Sequence, residues 1–381
     1  MTTSQLPRIG LVGTGFIASG FARLIHNHAP DLSISAVLTR RPLEQASDFP
    51  LTDKLTHSLQ QLIDESDVVV ECSGDVLHAT DVVDHALRAG KPVVTMNSEF
   101  HVTTGSYFAD KGLLTEAEGD QPGSIAALRE EAIMMGFKPL VYGNMKGFLN
   151  HSPTPEEMAY WAGKQGISVA QTTSFTDGTK IQIEQALVAN GFGATIAQQG
   201  MQGPKGHRRH QGSHRPGPRC GRTRPGHRRL RAGPWKCRCV CGRHPRQIGM
   251  ESAQLPQAGG WSLLRSHGAP FHLCQYEIIK TLRQVLNGGG VLLNNSSKPT
   301  ISIVGIAKAE LNPGTAIDRA IGGFQVRGEA AKIQDVPNHV PIGLIQNATV
   351  RRPIAPGQTI TFDDLDLPDT LALKIARELY V

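Results

Sequence analysis

Arg8-Ile9-Gly10-Leu11-Val12 is a short apolar run that leads directly into Gly13-Thr14-Gly15-Phe16-Ile17-Ala18 and then into the helical spacing Phe21, Ala22, Leu24, Ile25. A strand, a Gly-x-Gly-x-x-Ala turn and a helix in that order leave few folds open. Gly13 permits the tight turn, Gly15 lets a diphosphate approach the backbone, and Ala18 is small enough for the helix to pack on the strand. The first amides of the helix then face anionic phosphates. The expectation is a dinucleotide site built from Gly13, Gly15, Phe16, Ile17 and Ala18.

The second strand, Ile34–Leu38, runs into Thr39-Arg40-Arg41. An acidic residue there would bind the ribose hydroxyl of NAD, whereas a guanidinium fork binds a 2′-phosphate, so Arg40 and Arg41 favour NADP, with NAD as the alternative. A helix over 58–65, a buried strand over 67–74 ending in a small-residue turn, a helix over 79–89 and a strand over 93–97 continue the alternation. That rhythm predicts an α/β fold with a doubly wound parallel sheet, whose ligands sit beyond the carboxyl ends of the strands. Ser73, Gly74 and Asn97 fall there as further cofactor contacts, beside Ser98 and Glu99.

Glu71-Cys72-Ser73-Gly74 and Val93-Val94-Thr95-Met96-Asn97 resemble the strand ends of homoserine dehydrogenase. Gly119-Asp120-Gln121-Pro122-Gly123 and Gly143-Asn144-Met145-Lys146-Gly147 look more specifically like the homoserine-dehydrogenase-like reductoisomerases, the alternative deoxyxylulose-phosphate reductoisomerase type. The resemblance covers about 8–203 and 262–381 and implies a carboxyl-terminal domain similar to the SAF fold. One departure stands out: Ser98 follows Asn97 where true homoserine dehydrogenases carry a lysine.

The charge is unevenly placed. The whole chain carries +6, yet the 43 residues from Pro204 to Arg246 hold 12 Arg, 2 Lys and no acid, which leaves −8 on the other 338. Within that tract 36 residues are Arg, Gly, Pro, His, Cys or Lys, a composition that buries no face. Three readings compete. A basic arm would bind nucleic acid in a salt-sensitive way, but only Trp235 is available for stacking. A metal site from Cys237, Cys239 and Cys241 with His227 or His244 lacks the usual knuckle spacing. The third reading, which the composition favours, is GC-rich DNA read out of frame between about 203 and 260. Cys72 and Cys274, the two thiols outside the tract, suggest a reducing compartment. No bilayer-length apolar run and no signal-like start are present, so a cytoplasmic, membrane-free protein is expected.

Hydride chemistry next to a hydroxyl needs a proton shuttle and a cation for the developing alkoxide. Lys146 and Lys180 are the candidates as proton donor or electrophile, and Asp120 and Asp177 would orient hydroxyls or hold a divalent cation. Lys180 and Glu184 share a helix face, Asp177 is also a natural helix cap, and His272 lies in a tract resembling the family. Pro313-Gly314 and Pro356-Gly357 predict two hairpin-like units in a small β-rich module, with Asp363-Asp364 as a metal pair or a capped turn. The division expected is 1–150 for the nucleotide domain, 151–299 for an α/β substrate and dimerisation domain interrupted over 204–260, and 300–381 for the SAF-like module.

These readings converge on an NADP-dependent oxidoreductase, a reductoisomerase or dehydrogenase of a small sugar phosphate or polyhydroxylated acid, expected as a homo-oligomer. A homoserine-dehydrogenase-like aldehyde reductase is the enzymatic alternative. A non-catalytic nucleotide-sensing or nucleic-acid-binding protein is the other.

Overall fold

The computed structural model describes residues 6–144, 148–201 and 272–381, together with the backbone of 248–254 and 264–269. Lys146 and the tract 204–246 lie outside the described residues.

The first sheet takes β1 (Arg8–Val12), β2 (Ser33–Leu38), β3 (Leu55–Thr56), β4 (Val68–Glu71), β5 (Val93–Thr95) and β6 (Leu114–Glu116). All pair in parallel, in the order β3-β2-β1-β4-β5-β6. This is the doubly wound dinucleotide-binding order, which reverses between β1 and β4. The strands β1 and β4 are buried almost throughout, as valine-rich runs covered on both faces must be. Helices α1 (Phe16–His28), α2 (Leu59–Glu65) and α3 (Val76–Arg88) flank them. Ser58 caps α2 and Asp75 caps α3, each accepting a first-turn amide.

Beyond β6 come α4 (Gln121–Met134), β7 (Lys138–Pro139), β8 (Gly143–Asn144), α5 (Pro155–Gln165), α6 (Val169–Thr176) and α7 (Thr179–Gly191). β7 and β8 each pair antiparallel with β9 (Ile248–Gln254); β10 (Leu264–Ala269) closes this sheet. Helix α7 is buried on nearly every side. It carries the polar groups that such a position demands: Asn190 Nδ2 donates to the Ile301 carbonyl at 2.9 Å and its Oδ1 accepts from the Thr300 and Ile301 amides.

Packing crosses the expected domain limits. Helix α8 (Ile278–Leu286) buries Ile278, Leu282 and Val285 against Leu11, Phe21 and Ile25 of the first sheet and α1. Three such side chains at about 1.5–3 kcal/mol each match the net stability of a small domain, so α8 belongs energetically to the first core.

The β-rich region holds β11 (Ile301–Ala307) antiparallel to β13 (Val326–Lys332), and a three-stranded sheet of β12 (Ala316–Ile317), β14 (Ala348–Val350) and β15 (Leu365–Asp366). The two Pro-Gly turns do not make separate hairpins: Leu311 bridges Ile354, and the Gly314 amide reaches the Val350 carbonyl. Asp364 closes a turn by accepting from the Thr361 amide and hydroxyl. Helix α9 (Leu371–Tyr380) packs Ile375 into the core behind α3.

Candidate active site

Two neighbouring regions at the carboxyl ends of the parallel strands concentrate the polar chemistry. The first lies at the reversal between β1 and β4. Gly13 has φ +102°, and a Cβ there would stand 3.0 Å from the Cys72 carbonyl oxygen, so the turns after β1 and β4 touch through a glycine. A Cβ on Gly15 would meet nothing within 4 Å. Helix α1 has no side-chain cap, so its first amides remain for an anion. Phe16 is exposed, Ile17 half-buried and Ala18 buried. A cleft of about 680 Å³ opens beside them, lined by Thr14, Gly15, Phe16, Arg23, Arg41 and Tyr276. Open space above Gly15 and an uncapped helix start fit the diphosphate of a nicotinamide dinucleotide.

Arg40 and Arg41 diverge rather than forming one fork. Arg40 pairs with Asp75 at 2.9 Å and Arg41 with Asp48 at 3.0 Å. Glu71 braces the β4 turn by accepting from the Ser73 amide and the Thr95 hydroxyl. Ser73 is half-buried and Gly74 exposed just after β4, whereas Asn97 is fully buried, its Oδ1 accepting from the Phe100 amide.

The second region is an ion cluster beyond β5 and β6. Lys180, in the first turn of α7, donates to Ser98 Oγ at 2.8 Å and to both carboxylate oxygens of Glu99 at 2.9 Å; Asp120 Oδ2 lies 3.7 Å away. Only 12% of the Lys180 side chain is exposed, against 15% for Glu99 and 13% for Asp120. Burial works against the charge on Lys180, but Asp120, Glu99 and Glu184 outweigh it and raise its pKa far above the usual lysine range. Burial likewise disfavours ionised Asp120; Lys180, His272 and the Gln121 amide reverse this and hold its carboxyl below the ordinary value. Asp120 also starts α4, accepting from the Gln121 amide.

The structure thus brings Lys180 and Asp120 together and sends Asp177 elsewhere. Asp177 is fully buried, takes Lys308 of the β-rich region at 2.6 Å, and accepts the Thr179 amide ahead of α7. Glu184 accepts from Asn144. His272 binds the Gly119 carbonyl through Nδ1 at 2.7 Å, beside the Asp120 loop. The cluster partners that sequence reasoning left unassigned are Ser98 and Glu99, which stood at the strand end in plain view, and His101 and Glu116, which no motif marks. Among the described residues, no group of three or more His, Cys, Asp or Glu side chains is arranged to hold a metal ion. Nor is any described helix long and apolar enough to cross a membrane.

Two family models match the chain: "Homoserine dehydrogenase, NAD binding domain" over 13–109 and "Oxidoreductase DRL, catalytic domain" over 119–216. With the parallel sheet and the glycine turn, they give the chain a homoserine-dehydrogenase-like NAD-binding domain followed by a segment similar to an oxidoreductase catalytic domain. Among particular proteins, the homoserine dehydrogenase of Bacillus subtilis is 28% identical over 215 residues, covering 50% of this chain and 49% of its own. The chain therefore spans about half the length of the curated relative it matches. The homoserine dehydrogenase structure from Thiobacillus denitrificans aligns with 94% of this chain and 98% of that one, at 13% identity and TM-score 0.45. An NAD-binding protein from Listeria innocua aligns over 49% and 56%, at 15% identity and TM-score 0.31.

Proposed function

We propose that this chain is an NAD(P)-dependent reductase or dehydrogenase that interconverts a carbonyl and a hydroxyl on a small polar molecule, with Lys180 at the reacting oxygen. The observation that carries this reading is the Lys180 ammonium, held by Glu99, Ser98 and Asp120 at the end of a sheet whose first turn is Gly13-Thr14-Gly15. Gly13, Gly15 and the first amides of α1 would hold the diphosphate, with Ser73 and Gly74 as further contacts at the end of β4. When bound, the nicotinamide supplies or receives the hydride.

Lys180 steadies the oxygen as negative charge develops and hands its proton to the alkoxide. Its raised affinity for the proton suits this role: an alkoxide takes it, while a weaker base does not. Glu99 and Asp120 fix the ammonium, and Asp177 holds α7 against the β-rich region instead of touching substrate. Lys146 joins the site through the family resemblance, and Arg40 and Arg41 favour NADP. Because Ser98 stands in the lysine's place at the strand end, the cation there comes from α7. That departure, with the resemblance of Gly119–Gly123 and Gly143–Gly147 to the reductoisomerases, sets a phosphorylated ketose beside homoserine and its aldehyde as candidate substrates.

The tract 204–246 is read as foreign to the family, and the catalytic match ends inside it, at 216. Translating the gene's other two frames across the tract should yield a Leu/Val/Ala-rich segment, and its absence would refute the frame change.

The test of function is NAD(P)H-linked turnover with a panel of small aldehydes, hydroxy acids and phosphorylated ketoses, homoserine included. Lys180→Met should lose about 10²–10³-fold in kcat while dinucleotide binding survives. Undiminished turnover in that variant would overturn the assignment.

A further inference from the structure

Behind Asp120 lie two ionisable side chains for which the reading above has no use. Glu116 is the last residue of β6, and His101 opens a π-helical turn over His101–Gly105. Both have zero exposure. Nε2 of His101 stands 3.4 Å from Oε2 of Glu116. Among the described residues, none of their four polar side-chain atoms has a partner in strict hydrogen-bond geometry, while the Glu116 and Asp120 carboxyls approach closely enough to share one hydrogen. A buried carboxyl and imidazole without strict partners are costly to leave charged, and an un-ionised carboxyl lowers that cost.

The neighbours decide which proton. Glu116 is faced by Asp120 from the loop before α4, by Glu99 and His101 from the helical segment 98–108, by Lys180 from α7 and by Cys72 at the end of β4. Two of those neighbours are carboxylates already sharing one ammonium. A third negative charge in the same dry pocket would face one cation, and like charges at close range do not all ionise.

We propose that Glu116 is a positioning acid: un-ionised, it donates its carboxyl hydrogen to Asp120, with neutral His101 behind it, and so holds the Asp120 carboxylate against Lys180. Burial, then Asp120, favours the protonated form of Glu116, with only Lys180 opposing among the nearby charges. Burial drives His101 down to about 3, so its ring is a neutral neighbour. Glu116 touches no substrate and gives up no proton during turnover. Its role in catalysis rests on the function proposed above, but its protonation does not.

The experiment uses the full chain with ¹³C-labelled glutamate and infrared spectroscopy at pH 7. Wild type should show a protonated glutamate carbonyl band that Glu116→Gln removes. Glu71 is also buried with a raised pKa, so Glu71→Gln serves as the assignment control and should leave the Glu116 band in place. If Glu116→Gln fails to fold, His101→Asn should shift that band in a folded protein. A spectrum unchanged by Glu116→Gln, or by His101→Asn where that is the variant read, overturns the proposal.

In kinetics, Glu116→Gln keeps a donor and should retain most of kcat, whereas Glu116→Leu should lose up to about 100-fold in kcat at constant KM. The alkaline fall in kcat that follows ionisation of Glu116 should vanish in Glu116→Gln. Full activity in Glu116→Leu overturns the positioning role. The infrared arm needs no substrate, so failure of the oxidoreductase reading is told apart from failure of this one.

Discussion

Arg40 and Asp75 are joined at 2.9 Å across the end of β1, tying the turn after β2 to the cap of α3 after β4. The pair straddles the glycine turn, where the adenosine half of a dinucleotide lies in this fold. Arg40 is 61% exposed and Asp75 only 15%. The arginine is therefore the partner free to swing.

Replacing Arg40 and Arg41 with alanine should weaken NADPH binding by at least about tenfold more than NADH binding, since charge-assisted hydrogen bonds to a phosphate are lost. Asp75→Asn should release Arg40 and tighten NADPH. Calorimetric titration with both dinucleotides checks this, and equal losses would dispose of the phosphate assignment.

Lys308 and Asp177 make a second prediction. With side chains 5% and 0% exposed, Lys308→Met strands a buried carboxylate and should cost about 3–5 kcal/mol of stability. The double change Lys308→Met with Asp177→Asn should recover much of that loss. Urea unfolding measures both; a variant with full stability but no activity would return Asp177 to the catalytic set.

His101 predicts a pH dependence of stability. Its folded value of about 3 lies below its ordinary 6.5, so the unfolded chain binds more protons between the two. Stability should rise with pH across that window, by up to about 1.4 kcal/mol per pH unit for one group. His339, also lowered by burial, contributes in the same direction. The readout is the difference: His101→Asn should flatten the slope, and an identical slope would mean that the ring is solvated.

Gly119 holds the loop that carries Asp120. At φ +111°, a Cβ there would come within 2.1 Å of the Cys274 carbonyl oxygen. Gly119→Ala should destabilise the protein by about 1–3 kcal/mol and lower turnover, because the 272–277 segment must lift away. Differential scanning calorimetry with a parallel assay tests the linkage.

The parallel sheet was legible because its signals are local: glycine turn, valine-rich strands and capped helices follow one another in register. The expected strand over 93–97 shortens to 93–95 because Asn97 turns inward to cap the segment after it. Lys180 and Asp120 were both readable as charged loop or helix-start residues, but their meeting was not: they lie 60 positions apart and touch only through tertiary packing. That Lys180 and Glu184 share a helix face follows from spacing, but spacing says nothing about what covers that face. His101 and Glu116 were invisible for the same reason, since burial without partners is a property of the fold alone. Helix α8 escaped notice although its apolar spacing is strongly amphipathic, and it lies far from the sheet in sequence.

That distance has a bearing on how the molecule is made. Ile278, Leu282 and Val285 cover α1, which leaves the ribosome some 250 positions earlier. During synthesis the nucleotide-binding half must wait, one greasy flank uncovered, until α8 is translated. A chain halted before that point would offer this flank to chaperones rather than to coenzyme.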